Sequence, residues 1–381
     1  ELLCEFTGHE RAALCNTGSE AVLGAVRIAR TVTGRSLIVS FSGSYHGIND
    51  EALVRGSKKL KTFPAAAGIL SDNVQNVLVL EYGTDESLNI IKDRADEIAA
   101  ILIEPVQSRR PEFQPIDFLK SVRSITEKSD TLLIFDEVIT GFRSHPGGVQ
   151  ALFGIKADIA TYGKVIGGGI SIGAIMGKRK YMDALDGGFW QYGDQSIPEI
   201  GVTYFAGTFV RHPLALAAAK ASLLYMKEQG PSLQENLSLL TSTFVQRLNK
   251  EFENRRLPIT VTHFSSLWRI KFLEDIPYSE LLFVLLRKKG IHIMDGFPCF
   301  MTTVYTHNDV NHLSTCILGS VDEMVSVGLL KSDKAPESTQ PFTKLNTPPV
   351  EGARLGRDED GNPAWFIEDV NQKNKYIKIE L

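Results

Sequence analysis

The chain has 381 residues, 43% of them hydrophobic, which is enough for a large core and a division into two domains. Its formal net charge of −4 implies no general attraction to nucleic acid, and no apolar run reaches membrane-spanning length. Four cysteines (Cys4, Cys15, Cys299, Cys316) lack CxxC or ligand-like spacing, which points to a reducing, cytoplasmic setting without a disulfide frame.

In chain order, Glu1-Leu2-Leu3 reads as the interior of a helix. No initiator Met and no basic-plus-apolar leader precede it, so the expectation is a piece of a longer chain. Thr17-Gly18-Ser19 stands before an amphipathic helix in which Val22, Ala25, Val26 and Ala29 recur at helical spacing. Free N–H groups at a helix start, a close-approach glycine and a hydroxyl make a phosphate cup. The plainer alternative is an ordinary helix start with Ser19 as N-cap. A strand over 36–41 runs into Ser-Gly-Ser-Tyr45-His46-Gly47. Tyr45 there either lies over a flat ligand ring or covers the edge of the core.

Further on, a helix over 85–99, a strand over 99–103 ending at Glu104, and a helix over 116–128 are expected. A strand over 131–135 then runs into Asp136 and Glu137. Neighbouring strand residues point to opposite faces, so Asp136 and Glu137 serve different surroundings, and Val138 returns to the side of Asp136. A strand over 158–162 leads to Gly163-Lys164 and Gly167-Gly168-Gly169, and another covers 172–177. Strands alternating with helices predict an α/β fold with a mostly parallel sheet covered on both faces. Ligands of such sheets gather at the carboxyl ends of the strands.

A helix over 214–227 stops at Gln229-Gly230-Pro231, a domain boundary signal. A long helix (232–252), a strand (266–272) and a helix (279–289) suggest a smaller α+β domain. The Pro-, Thr-, Gly- and charge-rich stretch after Lys331 reads as an extended linker. The expected division is therefore 1–229, 230–330 and 331–381.

Lys164 sits among Tyr162, Gly163, Val165 and Ile166, a poor context for a solvated lysine. Desolvation there would lower its pKa and make it a nucleophilic amine. A phosphate cup, a stacking aromatic, a strand-end aspartate and such a lysine together suit pyridoxal phosphate. The lysine forms the Schiff base, and the aspartate keeps the pyridine nitrogen protonated. A nicotinamide-binding reading lacks its G-x-G-x-x-G fingerprint. No HExxH, Cys/His cluster or GxSxG elbow is present. His307 and His312 suit no common helix face, and Thr306 or Asn308 is expected to cap a helix there.

These motifs resemble the class III, omega-type, PLP-dependent aminotransferases, in particular those like glutamate-1-semialdehyde aminomutase. The residues that carry the resemblance are Asn16-Thr-Gly-Ser-Glu-Ala21, Tyr45-His-Gly47, Glu104-Pro-Val106, Asp136-Glu-Val138 with Gly141-Phe-Arg143, and Asp158 with Gly163-Lys164. Gly207-Thr-Phe209 with Pro213-Leu214 completes the set, and 28 residues separate Asp136 from Lys164. The resemblance covers roughly residues 1–330 and implies the fold-type-I architecture of PLP enzymes. It implies that Lys164 holds the cofactor and shuttles the proton, and that Asp136 pairs with the pyridinium. Thr17, Gly18 and Ser19 hold the phosphate, while Tyr45 and Val138 flank the ring. His46, Glu104 and Gln107 stand around the ring, Gln107 near its phenolic oxygen. Thr208 reaches the phosphate of a neighbouring subunit, which implies a homodimer with shared sites.

Two departures from the family pattern, at Gln107-Ser-Arg109-Arg-Pro111 and Val210-Arg211-His212, bring Arg109 and Arg211 near a substrate entrance. They attract a carboxylate or a phosphopantetheine phosphate, or are simply solvated. The stretch 348–369 resembles linkers before condensation domains of nonribosomal peptide synthetases. The expectation is an aminotransferase domain of a hybrid polyketide–peptide synthase, in lipopeptide or antibiotic biosynthesis. It would move an amino group from glutamate to a β-ketoacyl chain on a carrier protein. An intramolecular aminomutase, a non-catalytic scaffold domain and an ordinary aminotransferase with an unusual tail remain alternatives.

Overall fold

Runs such as Ile98-Ala-Ala-Ile-Leu-Ile103 and Leu132-Leu-Ile-Phe135 have no polar face, and every residue in them is buried. Such runs belong in a sheet covered on both sides. In the computed structural model they are central strands of a seven-stranded sheet. The structure describes residues 1–332 except 58, 192, 194 and 199, together with 354–357, 363–368 and 376–378.

The sheet consists of β1 (Arg11–Cys15), β2 (Leu37–Phe41), β3 (Val77–Leu80), β4 (Ile98–Ile103), β5 (Leu132–Asp136), β6 (Ile159–Gly163) and β7 (Gly173–Gly177). Their spatial order is β1-β7-β6-β5-β4-β2-β3. The block from β3 to β6 pairs in parallel, and β7 joins β6 and β1 antiparallel. The helices include α1 (Leu2–Thr7), α2 (Gly18–Thr33), α3 (Asp85–Asp93), α4 (Ile116–Ser129), α5 (Gly148–Phe153) and α6 (Pro213–Gln229). One core joins α4 and α6 to the sheet, and a second packs α2 on it.

The expected strand positions hold to within a residue or two. The helix expected over 85–99 stops at Asp93, because Ile98 and Ala99 already belong to β4. Their apolar side chains fitted a helical period but are spent in the sheet. The start of α2 also differs from expectation. Thr17, not Ser19, is the N-cap: it adopts an extended backbone, and its hydroxyl accepts from the Glu20 N–H at 3.2 Å. The Glu20 carboxylate accepts in return from the Asn16 N–H at 2.7 Å. This exchange leaves the Ser19 hydroxyl available to the strand-end loops.

After Gly230-Pro231 a separate core forms around α7 (Ser232–Asn254), α8 (Leu281–Lys288), α9 (His307–Ser326) and the strands β8 (Ile259–Phe264), β9 (Leu267–Phe272) and β10 (Cys299–Phe300). Thr306 caps α9 in a reciprocal capping box with Asp309. The stretch 331–381 lies largely outside the described residues. Its described part is a three-stranded antiparallel sheet, β11 (Arg354–Arg357), β12 (Pro363–Glu368) and β13 (Tyr376–Lys378). Among the described residues no helix is long and apolar enough to cross a membrane.

Candidate active site

Four parallel strands, β2, β4, β5 and β6, end on the same side of the sheet and lead directly to Tyr45-His46, Glu104, Asp136 and Lys164. These residues, with Thr17, Gly18, Ser19, Gly47, Val138 and Ile139, surround a cavity of about 220 Å³.

Asp136 is 5% exposed, and both of its oxygens are engaged. Oδ2 lies 2.7 Å from Nδ1 of the equally buried His46, while Oδ1 accepts from the Val138 N–H at 3.1 Å and the Thr161 hydroxyl at 3.2 Å. Three partners fix the carboxylate and offset part of the cost of burying it. His46 Nε2 is buried without a partner.

Glu104 is also buried. Its oxygens accept from the Tyr45 N–H at 2.9 Å and the Ser108 N–H at 3.3 Å, tying two loops together. Burial, helped by the nearby Asp136 charge, pushes its carboxyl above the ordinary value. His46 and the two N–H groups pull the other way. Tyr45 itself is 40% exposed and lines the cavity.

Lys164 follows the extended Gly163 and has φ 48°, a left-handed conformation rare for a side-chain-bearing residue. This places its side chain in the cavity wall. Desolvation lowers its amine pKa, and Arg143 lowers it further against the raising effect of Asp136 and Glu104. The N-terminus of α2 lines the same cavity. A Cβ at Gly18 would stand 2.6 Å from Val138 Cγ1, so only glycine lets the helix approach this closely.

Glu137 points away from Asp136, as the alternation along a strand requires. Its carboxylate accepts from the Val149 N–H at 2.8 Å, the Gln150 N–H at 3.0 Å and the Thr140 hydroxyl at 2.9 Å. It thereby closes the turn after β5 onto α5. Burial pushes its carboxyl from 4.5 up to about 7, although those three hydrogen bonds act in the opposite direction. A carboxyl raised in the folded state gives stability that is complete below its unfolded value and is lost as pH rises through the folded one. The urea midpoint should therefore fall between pH 4.5 and about 7 by an amount worth roughly 3 kcal/mol from this group. In Glu137→Gln that part of the slope should vanish.

Gly148 has φ +75°, and a Cβ there would stand 2.5 Å from Glu137 Oε1. Gly148→Ala should destabilise the fold by on the order of 3 kcal/mol in urea titration, by strain and by displacing that carboxylate.

The remaining sequence-derived candidates lie elsewhere. Gln107 is fully buried, and its amide nitrogen donates to the Ser42 carbonyl at 2.8 Å and the Ser44 hydroxyl at 2.9 Å. It braces the turn before Tyr45 and does not line the cavity. Arg109 is exposed, and its carbonyl accepts from Arg269 at 2.6 Å. Thr208 and Arg211 lie on an exposed segment outside the cavity lining. The sequence motifs contain Gly47 and Arg143 but give neither a place at the site, and Ile139 carries no signal at all; Gly47 and Ile139 line the cavity, and the charge of Arg143, which the sequence suggests is structural, acts on Lys164. The alternation that placed Val138 carried no signal for Ile139, because the chain leaves the strand at Glu137.

Comparison with known proteins agrees with this geometry. The model of the family described as aminotransferase class-III matches residues 1–308. A glutamate-1-semialdehyde 2,1-aminomutase of Archaeoglobus fulgidus is 37% identical over 322 residues, covering 80% of this chain and 73% of that protein. A solved transaminase with PLP bound superposes with a TM-score of 0.77 at 26% identity, covering 86% of this chain and 77% of the other. An omega-transaminase from Sphaerobacter thermophilus gives 0.75 at 26% identity, with 84% and 76% covered. The chain belongs to the class-III aminotransferase family and is a pyridoxal-phosphate-dependent aminotransferase.

Proposed function

We propose that this aminotransferase moves an amino group from glutamate to the ketone of a β-ketoacyl chain held on a carrier protein. The observation that carries amino transfer is the convergence of Lys164 and Asp136, each at the end of its own parallel strand, on one cavity. The residues present fit the cofactor. A buried carboxylate with fixed oxygens, an amine of lowered pKa and a helix N-terminus with a close-approach glycine all line the one cavity.

When bound, pyridoxal phosphate supplies an electron sink for the substrate carbon. In this reading Lys164 anchors the cofactor and then takes and returns the substrate proton; desolvation, which lowers its pKa, favours the neutral amine that a base requires. Asp136 holds the proton on the ring nitrogen, and His46 and Thr161 hold Asp136. Thr17, Gly18 and Ser19 offer hydroxyls and helix N–H groups to the phosphate. Tyr45 and Val138 flank the ring, Glu104 steadies the Tyr45 loop, and Gln107 braces the turn before it. Thr208 completes the phosphate site of a second copy, so the working unit is a homodimer with shared sites. Residues 1–229 form the cofactor domain and 230–330 the smaller domain. Stretch 331–381 leads toward a following domain of a polyketide–peptide synthase. The exposed Arg109 and Arg211 suit the phosphate of a carrier-borne arm.

A second reading, intramolecular aminomutase, is favoured by the name of the A. fulgidus relative. The two separate in one experiment with the cofactor-loaded protein. A β-ketoacyl thioester on a carrier protein is supplied with and without glutamate, and glutamate-1-semialdehyde is supplied alone. Amine on the acyl chain only when glutamate is added supports transfer. Isomerisation of the semialdehyde without any donor supports the mutase, and neither product overturns both.

A further inference from the structure

Against Val165, the residue after Lys164, and between α6, the start of α7 and the β8–β9 turn, lies a second cavity of about 450 Å³. Its lining includes Arg143, Val165, Ser222, Gln234, Ser266 and Thr302. That volume is in the range of small-molecule sites. Most of the wall is apolar, yet it holds one cation and two polar atoms that are not satisfied. Ser266 Oγ and Gln234 Oε1 are both buried without a hydrogen-bond partner. Buried polar atoms left this way call for a ligand or an ordered water.

Arg143 is the cation. Its Nε donates to the Ile139 carbonyl at 3.0 Å, and its guanidinium carbon lies 3.8 Å from the centroid of the Phe300 ring. Stacking of this kind holds the guanidinium plane and leaves its two terminal nitrogens for a two-point contact with a carboxylate. Among the described residues no acidic side chain pairs with Arg143, and burial alone lowers it to about 10. The turn that carries it is held from both sides of the cavity. Gln234 Nε2 donates to the Phe142 carbonyl at 3.0 Å, and the Ser265 hydroxyl donates to the Arg143 carbonyl at 3.3 Å. Arg143 is also close enough to Lys164 for its charge to act on that amine. Fixed geometry, a missing counter-ion and proximity to the reacting lysine coincide in one side chain.

The geometry points to Arg143 as the residue that binds a carboxylate of the amino-acid donor, with the Ser266 hydroxyl as a second donor to the same group. This rests on the amino-transfer reading above and names the specificity determinant within it. Phe300 acts through Arg143 as a positioning residue, bringing the smaller domain to the same point.

The test uses the full chain loaded with cofactor, as wild type, Arg143→Gln, Arg143→Lys and Ser266→Ala. Glutarate, a dicarboxylate without an amine, is titrated calorimetrically. The half-reaction with glutamate, and with an amine lacking a carboxylate, is followed by cofactor absorbance. Arg143→Gln should weaken glutarate binding and raise the glutamate KM by on the order of a hundredfold. Its selectivity for glutamate over the carboxylate-free amine should fall by the same factor. Arg143→Lys should recover part of the loss, and Ser266→Ala should lose several-fold. Glutarate affinity within twofold of wild type in Arg143→Gln overturns the assignment, as does an equal loss toward both donors. If Arg143→Gln does not fold, Arg143→Lys and Ser266→Ala decide: unchanged glutarate affinity in both overturns it. A wild type that binds glutarate through Arg143 but converts no donor leaves this assignment standing and sinks amino transfer.

Discussion

Lys164→Ala is expected to abolish amino transfer, lowering kcat by on the order of 10⁴-fold or more, while leaving the fold intact. The loss is large because no other described amine lines the cavity, so neither attachment of the cofactor nor proton movement has a substitute. The fold should survive because among the described residues the side chain has no hydrogen-bond or ion-pair partner. Its removal also takes an amine of lowered pKa out of a partly desolvated wall. The backbone adds a way to separate chemistry from stability. Lys164 and an alanine in its place share the cost of φ 48°, whereas glycine does not. Lys164→Gly should therefore be as inactive as Lys164→Ala yet more stable than it by roughly 1 kcal/mol in urea titration. Borohydride reduction followed by peptide mass analysis provides the direct check. Cofactor mass should be fixed on the peptide containing Lys164 in wild type and on no peptide in either variant. Cofactor mass retained on the Lys164→Ala protein would remove Lys164 from its role.

Much of this site is legible in the sequence because its residues sit where a regular pattern breaks. Strand β4 is a continuous apolar run followed at once by Glu104, β5 is apolar up to its last residue, Asp136, and β6, whose Thr161 is its one aliphatic hydroxyl, leads through Gly163 to Lys164. A charge at the end of a buried strand is costly unless something meets it, so the sequence marks those positions without knowledge of the fold. Choices between near neighbours are less legible. Thr17 and Ser19 are both good N-caps, and Thr17 takes the role because Glu20 stands three residues on and reaches back to the Asn16 N–H. Gln107 follows Glu104 closely enough to suggest the same cavity, but its amide is consumed by the Ser42 carbonyl and the Ser44 hydroxyl. Arg143 was least legible of all. Its environment is assembled from Phe300, Gln234 and Ser265, which come from the smaller domain and are distant in sequence. A local pattern gives such a residue no distinguishing mark, and the exposed Arg109 and Arg211 looked equally suitable.

The second large effect is expected at Asp136. Asp136→Asn should lower kcat by roughly 10³-fold with only a small change in stability. The two outcomes separate because the carboxylate has structural and electrostatic duties that asparagine divides. The amide oxygen can take the place of Oδ1 and still accept from the Val138 N–H and the Thr161 hydroxyl. The amide nitrogen then faces His46 Nδ1, where Oδ2 stood at 2.7 Å, and that contact is kept only if His46 carries its proton on Nε2. Since Nε2 is buried without a partner, the switch loses no existing hydrogen bond. The negative charge has no replacement, and neutral asparagine cannot hold a proton on the ring nitrogen. Asp136→Ala removes both duties: it leaves the Val138 N–H, the Thr161 hydroxyl and His46 Nδ1 unsatisfied in the core, at a cost of several kcal/mol. A structural role alone would make the Asn and Ala variants differ in stability and activity together. The expected pattern is two variants of similarly low kcat, of which only Asp136→Ala is markedly destabilised in urea titration. An Asp136→Asn enzyme within tenfold of wild-type kcat would show that the charge at this position is not what the chemistry requires.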